Sequence, residues 1–365
     1  MALPTIIKAK DGSFYDGCDF VVEAKGERLK ILQITDTQVI DSTQQRAPDR
    51  LRPDEYYAWL PEYFDKQCGD HIRSIVNQTK PDLIIMTGDL VYGSFDDKGR
   101  VMQWFCDLMD SFKIPWAPVF GNHDNECRLG VNWQCEQLER SKYCVFKRGE
   151  VTGNSNYTVG IAKNGTLVRV IHMLDSNGCR SEDPQVIRKK GLYPDQLLMV
   201  KENSAKIRAA QKKEVKAFMA FHIPVDLFFE AQAEKGYLKE GKNGFVIGVD
   251  CPSLDNDFGF YYENGGAIET DEEFLELLKE CSVDGVFAGH NHNNCGCISY
   301  KEIKWVFGMK TGQYDYHIPG QVGATLICLE GDDFEVTCVP ALVPPAAMPG
   351  LAPMFENLLT FGKKE

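Results

Sequence analysis

Apolar residues in this chain gather into short runs of strand type and longer stretches of helical period, separated by polar, glycine-rich or proline-containing segments. Runs at 29–35, 83–87, 116–120, 217–221 and 286–288 are short and rich in Ile, Val, Phe and Leu, as buried strands are. Helical spacing predicts a helix over 70–79, with Ile72, Ile75 and Val76 on one face, and another over 99–112 carrying Val101, Met102, Phe105, Leu108 and Met109. A long amphipathic helix is expected over 193–215. Another is expected over 271–281, where acidic residues in the first turn suit the helix dipole. One or two strands are expected within 14–35. Paired strands near 155–160 and 167–174 flank Asn164-Gly165, a hairpin turn signal, and strands near 303–308 and 323–338 close the domain. Between these lie a polar loop with a short helix at 41–66, an irregular Cys-containing region at 125–160, and a glycine-rich excursion over 230–268. A Pro/Ala-rich tail starts at about 339.

The five strand-like runs share a further property: each ends on residues that bind metal ions. They run into Asp36-Thr37-Gln38, Gly88-Asp89, Gly121-Asn122-His123-Asp124, His222 and Gly289-His290-Asn291-His292. Strands that stop at a ligand place it at one edge of a sheet, and α/β sheets gather their sites at the carboxyl ends of strands. Mixed oxygen and imidazole donors suit hard to borderline ions such as Mn, Fe or Zn.

Composition narrows the class. A length of 365 residues fits one large α/β domain spanning the chain, and 43% hydrophobic residues support a sizeable core. A net charge of −13 argues against a surface built for nucleic-acid backbones. The N-terminus lacks a charged segment leading into an apolar run, and no apolar stretch approaches the ~20 residues that span a bilayer, so a cytoplasmic protein without membrane contact is expected. The 13 cysteines include no Cys-x-x-Cys pair, which disfavours zinc ribbons and thioredoxin-like sites. Cys295-Gly296-Cys297 follows the last histidine block, but buried reduced thiols are the favoured reading.

Each ligand type suggests a role. Asp89, after a glycine that permits a tight turn, is placed to bridge two cations ~3.5–4 Å apart. Asn122 offers a neutral amide oxygen, and His222, His290 and His292 offer imidazoles. On an extended segment His290 and His292 start on opposite sides, which suits separate metals. His123 is the candidate general acid for the leaving alkoxide, with Asp124 as the group that orients or charges it.

In order and spacing these blocks resemble the calcineurin-like metallophosphoesterases. Phe221-His222-Ile223-Pro224, Leu174-Asp175-Ser176 and Lys310-Thr311-Gly312 resemble the purple-acid-phosphatase-like (Dcr2-type) branch more specifically. The resemblance runs from about residue 28 to 330. It implies a four-layer α/β/β/α sandwich with a binuclear centre between the sheets. By the same resemblance, metal one takes Asp36, the residue at 38, Asp89 and His292, and metal two takes Asp89, Asn122, His222 and His290. The ions would be divalent or mixed-valence Mn, Fe or Zn. The activity implied is hydrolysis of phosphate monoesters or diesters by metal-activated hydroxide, on a small phosphorylated substrate or a phosphoprotein. Two alternatives stay open: a nucleotide phosphodiesterase, and a metal-binding pseudoenzyme with a weakened first site.

That weakness comes from Gln38, which stands where the family usually has histidine. Its carbonyl oxygen reaches about as far as the distal imidazole nitrogen and is expected as a harder, weaker donor. Purple acid phosphatases instead use a tyrosine three residues after the bridging aspartate, the spacing of Tyr92. An aromatic packed beside the site is the preferred reading for Tyr92. Arg46, Arg50, Arg52 and Arg128 are weaker phosphate-binding candidates, each expected to be a solvated surface residue. His172 reads as a core histidine, His71 as a helix-surface residue, and His317 as an uncertain pocket residue.

Overall fold

The computed structural model describes residues 5–24, 26, 28–41, 43, 64–181, 186–240, 246–248, 251–254, 257–318 and 321–342. The first part of the chain runs β1 (Thr5–Lys8), β2 (Phe20–Ala24), β3 (Leu29–Ile34), α1 (Phe64–Thr79), β4 (Leu83–Thr87), α2 (Arg100–Ser111) and β5 (Trp116–Val119). The middle adds α3 (Val131–Arg140), β6 (Tyr157–Lys163), β7 (Thr166–Met173), α4 (Pro194–Gln211), β8 (Ala217–Ala220) and α5 (Leu227–Glu234). The last part runs β9 (Leu238–Glu240), β10 (Val246–Gly248), β11 (Cys251–Leu254), β12 (Asp257–Tyr261) and α6 (Glu272–Glu280). It continues with β13 (Val283–Ala288), β14 (Asn294–Tyr300), β15 (Ile303–Phe307), β16 (Gly323–Glu330) and β17 (Asp333–Pro340).

These strands form a five-stranded sheet, β17-β16-β3-β4-β5, and a ten-stranded one, β1-β2-β6-β7-β8-β13-β15-β14-β12-β11. The expected α/β/β/α sandwich follows from their burial pattern. Along β8, Phe218 and Ala220 belong to the core between the sheets, while Ala217, Met219 and the following Phe221 belong to a second core with α4, α5 and α6. This period of two is what a strand buried on both faces requires. Phe218 and Phe287 of the large sheet meet Phe334 of the small one, with ring centroids 4.7 and 6.3 Å apart. In the small sheet all five residues of β4 are buried, with α1 and α2 contributing to the same core.

Within each sheet the strands bearing candidate ligands run parallel. β3 pairs with β4 and β4 with β5, while β8 pairs with β13. Their carboxyl ends therefore open on the same edge of the sandwich, and the five ligand blocks meet there.

Several expectations need correction. The irregular region at 125–160 contains α3, whose buried residues Val131, Gln134, Cys135 and Leu138 include a glutamine and a cysteine that blur the apolar period. The helix expected at 70–79 begins at Phe64, and that expected at 193–215 stops at Gln211, where Lys212 turns left-handed at φ 54°. The 230–268 excursion carries strands, of which β12 pairs with β14. His71 is buried at 1% exposure rather than lying on a helix surface. Most of the 41–66 loop, Arg46, Arg50 and Arg52 with it, and the tail from 343 onward lie outside the described residues. Arg128 is 62% exposed and pairs with Asp97. Twelve cysteines with described side chains are free, and nine of them are buried.

His172 is a core histidine as expected. It is fully buried, with Nδ1 3.1 Å from Thr158 Oγ1 and Nε2 3.2 Å from Ser204 Oγ. Burial lowers its pKa to about 4. The unfolded chain, with an ordinary value near ~6.5, takes up the proton first as pH falls. Stability is therefore full above ~6.5 and declines toward pH 4, by on the order of 3 kcal/mol in total from this group. A His172→Gln variant is expected to lose that slope. Denaturant unfolding of both proteins between pH 7 and 4.5 checks this, and parallel stability curves would exclude it.

Candidate metal centre

The site forms where tight backbone turns replace strand pairing. Asp36, Gln38, Asp89 and His290 all have left-handed backbones, at φ 51°, 42°, 53° and 72°. For residues other than glycine this costs of order 1–3 kcal/mol each, and it persists only where surrounding bonds dictate it. Here Asp36 N–H donates to Gly88 O and Gln38 N–H to Asp89 O, which locks the two loops together. Gly88 itself takes φ 86° just before Asp89, the tight turn expected of it. Gly121 and Gly289 serve differently: a Cβ on either would collide with Asp89 or Asp36, so glycine lets backbone and carboxylate touch.

Donor atoms of Asp36, Asp89 and His222 all lie within 4.8 Å of one another, and all three residues are buried. His222 Nδ1 lies 2.8 Å from the Thr87 carbonyl and must carry its proton there, since a carbonyl only accepts. Its other nitrogen, Nε2, faces Asp89 Oδ2 at 3.3 Å and Asn122 Oδ1 at 3.2 Å. His292 repeats the design: Nδ1 donates to Tyr316 O at 2.9 Å, and Nε2 faces Asp36 Oδ1 at 3.2 Å. In both places an imidazole Nε2 faces carboxylate oxygen, an arrangement that a shared proton or a metal cation satisfies. That Asp36 Oδ1 is buried and lacks a hydrogen bond of good geometry points the same way. Carbonyl-anchored imidazoles are also the usual outer support of metal-binding histidines.

Asp89 is divided between two tasks. Its Oδ1 accepts from His123 N–H at 2.9 Å, leaving Oδ2 to face both His222 and Gln38. His290 lies 5.2 Å from His222, ring to ring, while His292 stacks on Tyr316 at 4.2 Å. The two histidines do face different partners, but a turn separates them rather than a pleated strand: Asn291 N–H donates to Gly289 O.

The electrostatics follow from this crowding. Burial alone would raise both aspartates, but the imidazoles outweigh it: His292 and His222 for Asp36, His222 and His123 for Asp89. Both carboxyls are held well below the usual range. For His222, burial is outweighed by Asp89 and Asp36, which lift its pKa to about 9. For His290, burial and the neighbouring His222 act together and lower it to about 3, which leaves a neutral imidazole.

Two candidate residues hold unexpected positions. Gln38 reaches the centre, but its Nε2 donates to Asp89 Oδ2 at 3.2 Å while its Oε1 accepts from Lys310 Nζ at 2.6 Å. The oxygen expected as a donor to metal is turned toward an ammonium. Asp124 is not the partner of His123. Its carboxylate accepts from Val91 N–H at 3.1 Å and Gly121 N–H at 2.8 Å, bracing the two loops, and burial with Asp89 nearby pushes its pKa up to about 8. The partner is Glu126, one helical turn beyond His123, with Oε2 3.0 Å from His123 Nδ1. Tyr92 stacks flat on the His123 ring at 4.1 Å, in line with its preferred reading as a packed aromatic. His317 is buried nearby, its Nδ1 3.2 Å from Asp315 O. Glu126 and Lys310 were both missed as site residues. Glu126 had a signal in its spacing from His123; Lys310 had none beyond the Lys-Thr-Gly motif.

Comparison with known proteins agrees with this geometry. The model of the calcineurin-like phosphoesterase family matches residues 29–294. Phosphatase DCR2 of Saccharomyces cerevisiae is 26% identical over 252 residues, which cover 64% of this chain and 40% of the yeast protein. This chain thus spans well under half of that relative. An Arabidopsis thaliana protein named probable inactive purple acid phosphatase 29 is 24% identical over 320 residues, covering 81% of this chain and 74% of that protein. Among solved structures, purple acid phosphatase PPD1 from yellow lupin shares the fold, with a TM-score of 0.50 and 11% identity. The match covers 88% of this chain and 54% of that one. Two sheets that gather aspartates, an asparagine and histidines at one edge, together with a family match over most of the chain, make this protein a member of the calcineurin-like phosphoesterases, metal-dependent hydrolases of phosphoric esters.

Proposed function

We propose that the protein hydrolyses phosphate monoesters or diesters at a centre for two ions. One position is formed by Asp36, Asp89 and His292, the other by Asp89, Asn122, His222 and His290. The observation that carries this reading is Asp89: one oxygen is fixed by His123 N–H, the other faces His222 Nε2, and donor atoms of Asp36, Asp89 and His222 lie within 4.8 Å of one another. When bound, a pair of Mn, Fe or Zn ions polarises the phosphoryl group and lowers the pKa of a coordinated water.

The chain's own residues supply the rest. His123 is gripped at Nδ1 by Glu126, at its backbone by Asp89 and on its face by Tyr92, so its remaining nitrogen, Nε2, has one defined direction. Burial disfavours the imidazolium, but Asp89 and Glu126 outweigh it and raise the pKa above its ordinary value. The ring therefore holds a proton ready for the leaving oxygen.

The second reading is a metal-binding protein without turnover, which the Gln38–Lys310 contact favours because it withdraws a donor from one ion position. Metal-depleted protein, reloaded separately with Mn, Fe or Zn, is to be assayed on an aryl phosphate monoester and the matching diester. Turnover with at least one ion on at least one of the two esters is expected, and the ratio of the two rates shows which ester class the site prefers. No hydrolysis with any of the three ions would leave the non-catalytic reading standing.

A further inference from the structure

Lys310 is 1% exposed and lies beside the last open corner of the centre. Its ammonium donates to the Asp36 backbone carbonyl at 2.9 Å and to Gln38 Oε1 at 2.6 Å, its hydrogen-bond partners among the described residues. The orientation of the Gln38 amide is dictated by chemistry, because an ammonium bonds only to its oxygen and a carboxylate only to its NH₂. Gln38 therefore presents Nε2, a donor without a lone pair for metal, to Asp89 Oδ2. The clamp is anchored on both sides. Gln38 N–H is tied to Asp89 O, and the segment after Lys310 is tied back by Thr311 N–H to Thr35 O and Gly312 N–H to Asp36 O. Turning the Gln38 oxygen inward would strip a buried ammonium of one acceptor, which is costly for a charged group.

We propose that Lys310 is a positioning residue that makes the two ion positions unequal, holding Gln38 out of the coordination shell so that one ion is kept firmly and the other is exchangeable. The inference rests on the two-ion reading above. The position at Asp36, Asp89 and His292 then has three protein donors, against four at Asp89, Asn122, His222 and His290. A role for Gln38 follows: its NH₂ group takes up part of the Asp89 Oδ2 charge that the absent donor's metal would otherwise need to balance.

The test is metal content and calorimetric titration with Mn(II), neither of which depends on turnover. Wild-type protein that is reloaded and desalted is expected to keep about one ion per chain, with the second binding about tenfold or more weakly, a gap of about 1.4 kcal/mol or more. Lys310→Met frees the Gln38 oxygen to turn inward and is expected to bring the two affinities to within about threefold. Gln38→Met, checked for folding by its thermal transition, is expected to weaken neither ion by more than about twofold, since no donor to metal is lost. Two ions held equally tightly by the wild type would overturn the proposal. So would a selective loss of the second ion in Gln38→Met, which would make the glutamine a ligand, and that variant decides the matter should Lys310→Met fail to fold. A wild type that binds no Mn(II) at either position would instead topple the two-ion reading itself.

Discussion

Asp89→Asn is expected to reduce hydrolysis to background and to lower metal content at both positions at once. No other residue in the centre has that double consequence. The substitution keeps the shape of the side chain, and its carbonyl can still accept from His123 N–H, as Oδ1 does now at 2.9 Å. What changes is the other end. Where Oδ2 now faces His222 Nε2 at 3.3 Å and Gln38 Nε2 at 3.2 Å, the variant presents either a neutral oxygen or an NH₂ group. A shared carboxylate contributes its charge to both ions, so both lose it. Asp36→Asn is the control: its Oδ1 faces His292 Nε2 while its Oδ2 accepts from Thr35 Oγ1 and His290 N–H, so its loss is expected to empty one position only. Metal analysis of both variants beside an aryl phosphate assay checks this. Asp89→Asn protein that holds two ions and turns over normally would defeat the shared-carboxylate assignment.

His123→Ala is expected to leave metal content nearly intact while slowing hydrolysis by roughly 10²–10⁴-fold. The side chain is not among the atoms that would hold the ions; it is held by Glu126, Tyr92 and its own backbone. Its removal therefore takes away a proton and a direction rather than a ligand. The loss should be greatest for alkyl phosphates, whose leaving alkoxides are basic, and should nearly vanish for aryl phosphates with acidic phenols. Glu126→Gln is expected to give a smaller loss with the same dependence on leaving group, because Glu126 acts through His123. A series of esters graded by leaving-group pKa measures both. A loss that is uniform across the series would mean that His123 positions the substrate rather than protonating it.

The positions of the candidate metal donors relative to the strands could be read from the chain before any contact was known. A buried strand in a parallel arrangement is a short, nearly continuous apolar run, and its end is marked sharply by the first polar residue. For that reason Asp36, Asp89, Asn122, His222, His290 and His292 were legible as one constellation, and the α/β sandwich came with them. Elements whose buried positions are polar or small were not legible. Helix α3 hides behind Gln134 and Cys135, and β14 begins Asn294-Cys295-Gly296, which reads as a loop until β12 and β15 pair with it on either side. His71 looked exposed because the segment before 70 carried no clear period, so the helix face it belongs to was misjudged.

How the polar side chains share their hydrogen bonds emerges from long-range packing rather than from local spacing. Asp124, next to His123 in the chain, was expected to orient it, but backbone N–H groups of Val91 and Gly121 claim Asp124, and Glu126 orients the ring instead. Gln38 had the reach to bind metal, yet Lys310, 272 residues away in sequence, takes its oxygen. Local sequence fixes which donors and acceptors a segment carries. Which of them are spent on backbone, on a distant ammonium or on a cation depends on neighbours that the chain brings together only when both sheets have closed, because a buried polar group must satisfy its bonds with whatever the fold places beside it.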